Sequence, residues 1–534
     1  MSAPAIVGFD ASFEFYRAPR PEQLAAFESA KDAEYWAHFW DPRCGKTKEI
    51  YDQFVYNYLR ARVTALVAIC YPAKGHLVWL DEAPKDMAPD LLARTKILAW
   101  RSGKMTNRMN SEALAAMLDH RDGPVVLTLN CEAINTPTAW NYLRKFFARH
   151  RVMLVVDEDW AIGWSARTKR LLAMGRGKTT VIRRLITGTP ADEGPTNLFY
   201  PCQFLKPGLL GFTSMVAFKN RYAAYEEEEV APGVFQRKKG YNRRTNTKFD
   251  IFKGWQNLDE LRARLTSFSD RVERRGSERV YATRYFALTD KQQKVYDELR
   301  DRYQSELGDG TIVRASDVLL RMSRLQAVAR NYYPSERYGV PCRECFESGF
   351  LDDGTDCPAC GGVGAIIEAT ELKRIDDRNP AAEALVDELR LSHRPFVIWA
   401  ARVQEVADAY EAARTVTERV ARYDGTIPGA DREAAYRAFV SGEIDGIVAT
   451  ERSSLSRSHD LRRARLICYY TNEFALRERR QSEARGDDVD DPDSWTDVVD
   501  FVCEGTRDLV AIEALREKRL TAAAITGDTP SAWI

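Results

Sequence analysis

The sequence predicts an α/β protein made of two parallel-sheet lobes, and three observations predict it. Apolar runs rich in β-branched residues at 63–70, 125–129 and 152–156, and a strand-like run at 181–186, alternate with stretches of helical spacing. Runs of this kind suit strands buried on both faces, which is the habit of parallel sheets. The same rhythm returns past Asn379-Pro380, with strands at 395–400, 444–450 and 466–470 and helices at 403–413 and from Asp431 onward. Finally, 534 residues are too many for one core, and two to four domains are expected at roughly 100–200 residues each.

Charge excludes one class of partner-seeking surface. Lysine plus arginine and aspartate plus glutamate balance at 78 each, so no global field draws the protein onto a polyanion and any such contact must come from local patches. Neither a leader pattern nor an apolar run of about 18 residues is present, which predicts a protein of the cytoplasm with no membrane partner. Six cysteines, Cys44, Cys70, Cys131, Cys202, Cys468 and Cys503, are scattered in the manner of a reduced protein.

The first lobe carries the chemistry. In Trp40-Asp41-Pro42-Arg43-Cys44-Gly45-Lys46-Thr47 an apolar lead and a turn precede a helical run with Ile50, Phe54, Val55 and Tyr58. Such a loop binds phosphate: Gly45 lets the backbone close, the Lys46 ammonium reaches the terminal phosphates, and the Thr47 hydroxyl is placed for Mg2+. Trp40 and Arg43 stand where phosphate-loop patterns want glycine, and Arg43 is read as a charged substitute in contact with phosphate. A second Gly-Lys-Thr, at 175–179, follows a helix and leads into a strand, the inverse context, and is read as a basic connecting loop. Upstream, Gln23 opens a helix and its amide offers the donor and acceptor that an adenine edge requires; the bland reading is a helix-start glutamine facing solvent. The run at 152–156 ends in Asp157-Glu158, two carboxylates at the C-terminal end of a buried strand, where ligands of open α/β sheets sit. Asp157 suits Mg2+ and Glu158 suits the orientation of water.

With Thr187-Gly188-Thr189-Pro190 after the next strand, the chain resembles the superfamily-two helicases, specifically the Swi/Snf-type ATP-dependent DNA translocases. Glu22-Gln23, residues 41–47, 71–75, 130–132, Asp157-Glu158 and 187–190 fall in that family's motif order. The resemblance implies two RecA-like lobes around ATP and Mg2+, and it implies DNA as partner, duplex or branched in preference to RNA. It also implies a monomer working beside replication or recombination proteins. Compact members of this kind are common in bacteriophages, so a phage or bacterial origin is expected.

From 201 to 288 charge rises and periodicity weakens. An acidic block, Glu226 to Glu229, precedes Arg237, Lys238, Lys239, Arg243, Arg244 and Lys248, with Phe235, Tyr241 and Phe249 interleaved. That mixture suits a phosphate track or a solvated loop, and by resemblance it is a helical insertion that clamps duplex DNA. Within a helical linker at 289–378, Cys342, Cys345, Cys357 and Cys360 form two C-x2-C knuckles eleven residues apart, the spacing of a four-thiolate Zn2+ site. The second knuckle resembles those of DnaJ-type proteins, and so short and glycine-rich a segment (339–366) needs the metal to fold.

In the second lobe, 379–534, Gln481 and Arg485 match the family motif that faces the nucleotide, whereas the position of its second arginine is Asp488. Asp488 either points into the cleft with the wrong sign or belongs to a solvated acidic loop. The reading is an ATP-dependent DNA helicase or translocase with Gln23, Arg43, Gly45, Lys46 and Thr47 holding nucleotide, and Asp157, Glu158, Gln481 and Arg485 catalytic. The rival is a nucleic-acid-binding or assembly protein that keeps this fold without turnover.

Overall fold

The computed structural model describes residues 13–70, 75–100, 108–158, 165–231, 233–242, 247–273, 278–302, 304–306, 312–314, 318–345, 348, 357, 365–392, 394–488, 491 and 494–528. Two units result. One comprises the described residues within Met1–Arg275, Ala475–Ala484 and Glu517–Ala532; the other those within Gly276–Phe474 and Arg485–Arg516.

The first unit is organised on a seven-stranded parallel sheet. We label β1 (Tyr35–Trp40), β2 (Ala65–Cys70), β3 (Lys96–Ala99), β4 (Val125–Asn130), β5 (Val152–Asp157) and β6 (Thr180–Ile186); the seventh strand is Ser269–Val272. Spatial order is Ser269–Val272, β1, β6, β5, β2, β4, β3. The central strands lie under helices on both faces, and β2 is buried along its whole length. That burial is why they read as unbroken apolar runs rather than alternating ones.

Helix α1 (Pro21–Ala30) precedes β1, and α2 (Lys46–Leu59) follows it. Beneath α2 lies a buried polar network. Arg184 donates to Gln53 Oε1 (2.6 Å) and to the carbonyls of Ala30 and Ala33, and Gln53 bonds Glu49 (2.7 Å) and His38 (3.0 Å). Asp270 accepts from Trp36 (2.5 Å) and sits 2.8 Å from His38 Nδ1. Burial pulls Arg184 down to about 9 and pushes Glu49 up to about 8.

The segment expected to be a helical insertion has helices at its ends, Met215–Tyr222 and Leu258–Leu265, and antiparallel ladders between them. Ala223–Tyr225 pairs with Phe252–Trp255, Glu227–Ala231 with Val234–Arg237, and Lys239–Asn242 with Thr247–Asp250. Alternation of aromatic and charged residues is a strand signal, which explains the lost helical periodicity. Ser269–Val272, read from sequence as insertion, is instead an edge strand of the first sheet.

The second unit has a six-stranded parallel sheet in the order Glu278–Phe286, Trp495–Cys503, Leu466–Tyr469, Phe396–Ala400, Gly446–Thr450, Val420–Tyr423. The chain therefore has two RecA-like parallel-sheet lobes, as expected. Its core includes a fully buried Arg330, whose guanidinium reaches Asp508 (2.8 Å) and the carbonyls of Tyr470 (2.7 Å) and Phe501 (3.2 Å). The cysteine module is carried by a long antiparallel ribbon, Tyr332–Pro341 against Ala365–Arg374, where sequence suggested a helical linker. No helix among the described residues is long and apolar enough to cross a membrane.

Candidate nucleotide-phosphate site

β1 delivers the loop 41–45, and the helix that follows is turned in by backbone geometry. Gly45 lies at φ +82°, and a Cβ there would stand 2.3 Å from the amide nitrogen of Gln23. Only glycine satisfies both constraints. Arg43, where the family pattern has glycine, also adopts a left-handed backbone at φ +67°. The loop thus keeps the shape a glycine would give, at a cost of about 1 kcal/mol for a residue with a Cβ.

Lys46, at the first position of α2, donates to the Trp40 carbonyl (2.8 Å), lies 3.5 Å from that of Asp41, and stands 3.1 Å from Glu158 Oε1. Thr47 is half-buried in the same first turn. Here α2 presents unpaired amides and the positive end of its dipole, a natural seat for an anion. Gln23 is buried and committed to the loop: it accepts from Arg20 N (2.9 Å) and donates to Cys44 O (3.2 Å). It therefore shapes the loop rather than facing solvent.

At the end of β5, Asp157 accepts from Trp79 Nε1 (3.1 Å). Burial, with the adjacent Glu158 charge, pushes Asp157 up to about 7. Glu158 is tightly held. Its Oε2 accepts from Thr187 Oγ1 (2.8 Å), its Oε1 from Gly188 N (2.9 Å), and its own amide donates to Ile186 O (3.0 Å). Burial opposes ionisation of Glu158, but Lys46, Arg477 and these donors outweigh it and hold the carboxyl below its usual range. The two carboxylates at this strand end are the hard oxygen donors that a divalent cation takes.

Residues 475–484 belong to this unit, and they bring Arg477 and Arg480 to it. Arg477 donates to the Glu158 carbonyl, and Arg480 bonds Asp192 (2.8 Å) and lies 3.4 Å from Asp41. Gln481 is buried in the same segment. Arg485 is placed differently: it belongs to the second unit, where its Nε donates to Ser456 O (3.1 Å). Asp488 lies 3.8 Å from Arg462 and 3.9 Å from Arg465, so it belongs to a local ionic cluster of that unit. Trp79 occurs in a helical run with no motif spacing and no local signal marks it; Arg477 lies in the stretch 472–485 that carries Gln481 and Arg485, but the motif match assigns it no role there.

The loop at 175–179 connects helix Ala166–Gly175 to β6, as its context implied. Gly175 is a packing glycine: a Cβ there would meet the Phe204 ring at 2.8 Å.

Away from the phosphate loop, the sulfurs of Cys342, Cys345 and Cys357 lie within 4.8 Å of one another, all buried. The Cys342–Cys357 separation is 3.8 Å. A tetrahedron with Zn–S bonds of about 2.3 Å has edges of about 3.8 Å, so these thiols fit a Zn2+ site. Cys360, the fourth expected ligand, lies outside the described residues, as do residues 71–74 and Arg243 and Arg244. Of the insertion's cations, Arg237 and Lys239 pair with Asp250 and Lys238 with Glu226, whereas Phe235, Tyr241 and Phe249 are exposed.

No known family profile matches the sequence, and no curated protein matches it. Among solved structures, the chain is similar to the Sulfolobus solfataricus SWI2/SNF2 ATPase core in complex with dsDNA, at 14% identity and a TM-score of 0.36, covering 98% of this chain and 96% of that one. It is also similar to the S. solfataricus SWI2/SNF2 ATPase core domain, at 15% identity and a TM-score of 0.35, covering 99% and 95%. What the site can do is set by its own side chains.

The loop geometry is testable through stability. Arg43→Gly should change unfolding free energy by less than about 1 kcal/mol, because relief of left-handed strain and the added freedom of the unfolded chain offset each other. Arg43→Val should lose more than about 1 kcal/mol, since a β-branched residue tolerates φ +67° least. Equal stability of the two variants in denaturant titrations would contradict this loop shape.

Proposed function

We propose that the protein is an ATP hydrolase that acts along or on DNA. The observation that carries this reading is the convergence of Lys46, Asp157, Glu158 and Thr187 at the C-terminal edge of one parallel sheet, beside a helix N-terminus. Phosphates would lie against the 43–47 backbone and the Lys46 ammonium, with Gln23 and Arg20 fixing the loop. Thr47 and Asp157 would hold Mg2+, which supplies charge neutralisation to the phosphate oxygens. Glu158, kept ionised and pinned by Thr187 and Gly188, orients the attacking water and receives its proton. Because Glu158 is tied to 187–188, a change in this carboxylate is felt directly in the strand-end segment after β6.

DNA as the polymer is supported by the exposed aromatics of the 223–255 ladders, which offer stacking surface to bases. Zn2+ held by Cys342, Cys345, Cys357 and Cys360 would staple the tip of the ribbon, whose segment is too poor in apolar residues to build a core.

Lys46→Ala should abolish ATP turnover, with and without DNA, while thermal unfolding stays within a few degrees of the parent, because the cation removed stands at a helix N-terminus and not in the apolar core. Retained DNA-stimulated turnover in the folded variant would refute the site. For the ribbon, elemental analysis should give one Zn2+ per chain, lost in Cys342→Ser and Cys357→Ser. Chelation should raise hydrogen exchange around 332–374 and spare ATPase activity; a value near zero zinc in gently purified protein would refute the assignment.

A further inference from the structure

The backbone of Glu158 is unusual for the residue that must aim a water. It sits at φ +52°, a left-handed conformation that a residue with a Cβ rarely adopts. Such a conformation persists only when its surroundings over-determine it, and here every polar atom of the residue has a partner. Its amide is on Ile186 O, and its carboxylate oxygens are on Lys46, Thr187 and Gly188. The remaining atom is the carbonyl oxygen, and it accepts from the guanidinium of Arg477. The guanidinium of Arg477 is a charged, and therefore strong, donor to that carbonyl.

Arg477 is not an isolated contact. One helical turn on, Arg480 bonds Asp192 (2.8 Å), and Asp192 follows directly on the 187–190 segment that holds the Glu158 carboxylate. Residues three apart lie on one helix face, so 477 and 480 grip the two strand ends, β5 and β6, side by side. Arg485, the match to the family motif, bonds Ser456 O.

We propose that Arg477 is a positioning residue for hydrolysis: through the Glu158 carbonyl it fixes the left-handed turn that aims the Glu158 carboxylate at water. This rests on the ATPase reading above. Arg477 lies in the same stretch, 472–485, as Gln481 and Arg485 but is not one of its matched positions, and its role follows from the strained turn. The segment 475–484 thereby becomes a determinant of turnover rate, separate from nucleotide affinity, which the loop 43–47 sets.

The test is steady-state ATPase kinetics of the full chain with saturating DNA, comparing the parent, Lys46→Ala, Arg477→Ala and Arg477→Lys. Arg477→Ala should lower kcat by about 10²-fold, the scale expected when a catalytic group is mis-aimed, with KM for ATP changed less than threefold. Arg477→Lys, which keeps a cationic donor, should recover at least tenfold of that loss, and both variants should unfold at the parent's temperature within a few degrees. A kcat for Arg477→Ala within threefold of the parent, beside an inactive Lys46→Ala, overturns this proposal and leaves the ATPase reading standing. A lysine variant no better than alanine, or a loss expressed in KM, overturns it as well. A parent that does not hydrolyse ATP at all overturns both.

Discussion

Lys46 leaves the first turn of a helix whose entry is fixed by a left-handed glycine, and its ammonium rests 3.1 Å from the carboxylate of Glu158 at the end of a strand two places away in the sheet. That distance depends on nearly everything else in the first unit. The loop must curve at Arg43 and Gly45, β5 must end level with β1, and Glu158 must take a strained backbone so that its side chain turns back toward Thr187 and Gly188. Parallel strands with both faces covered supply this, because they bring successive strand ends to one edge while their interiors stay dry.

The buried polar network under α2 has the same purpose on the opposite side of the loop. Arg184, Gln53, His38 and Glu49 are fully buried, and each is held by the next. This connected set of directional bonds ties α2 to β1 through His38 and to β6 through Arg184. The position of Lys46 therefore follows from residues that no phosphate-loop pattern contains.

Much of this was legible in the sequence. The runs that became β2, β4 and β5 are apolar because both faces are buried, and the carboxylates at the end of β5 stand where the rule for open α/β sheets puts ligands. What was illegible depended on distant pairing. Ser269–Val272 and Glu278–Phe286 are edge strands with polar residues on their open sides, so they carry no apolar run. The ribbon at 332–374 is held by partners separated by the cysteine knuckles. Arg43 broke a sequence pattern while keeping its backbone angle, because the pattern records the commonest residue for a conformation and not the conformation itself. The ionic cluster of Asp488 with Arg462 and Arg465 was not marked by sequence, because the two arginines lie more than twenty residues before it.

Since water activation is assigned to one carboxylate and phosphate binding to one loop, the two steps must separate. The measurement is binding and hydrolysis of ATP by Glu158→Gln, which keeps the size and the acceptor of the side chain and removes its charge. The account predicts ATP affinity within a few-fold of the parent and turnover lower by about 10²-fold or more, the worth of a general base. Turnover at the parent's rate in the folded variant would contradict it.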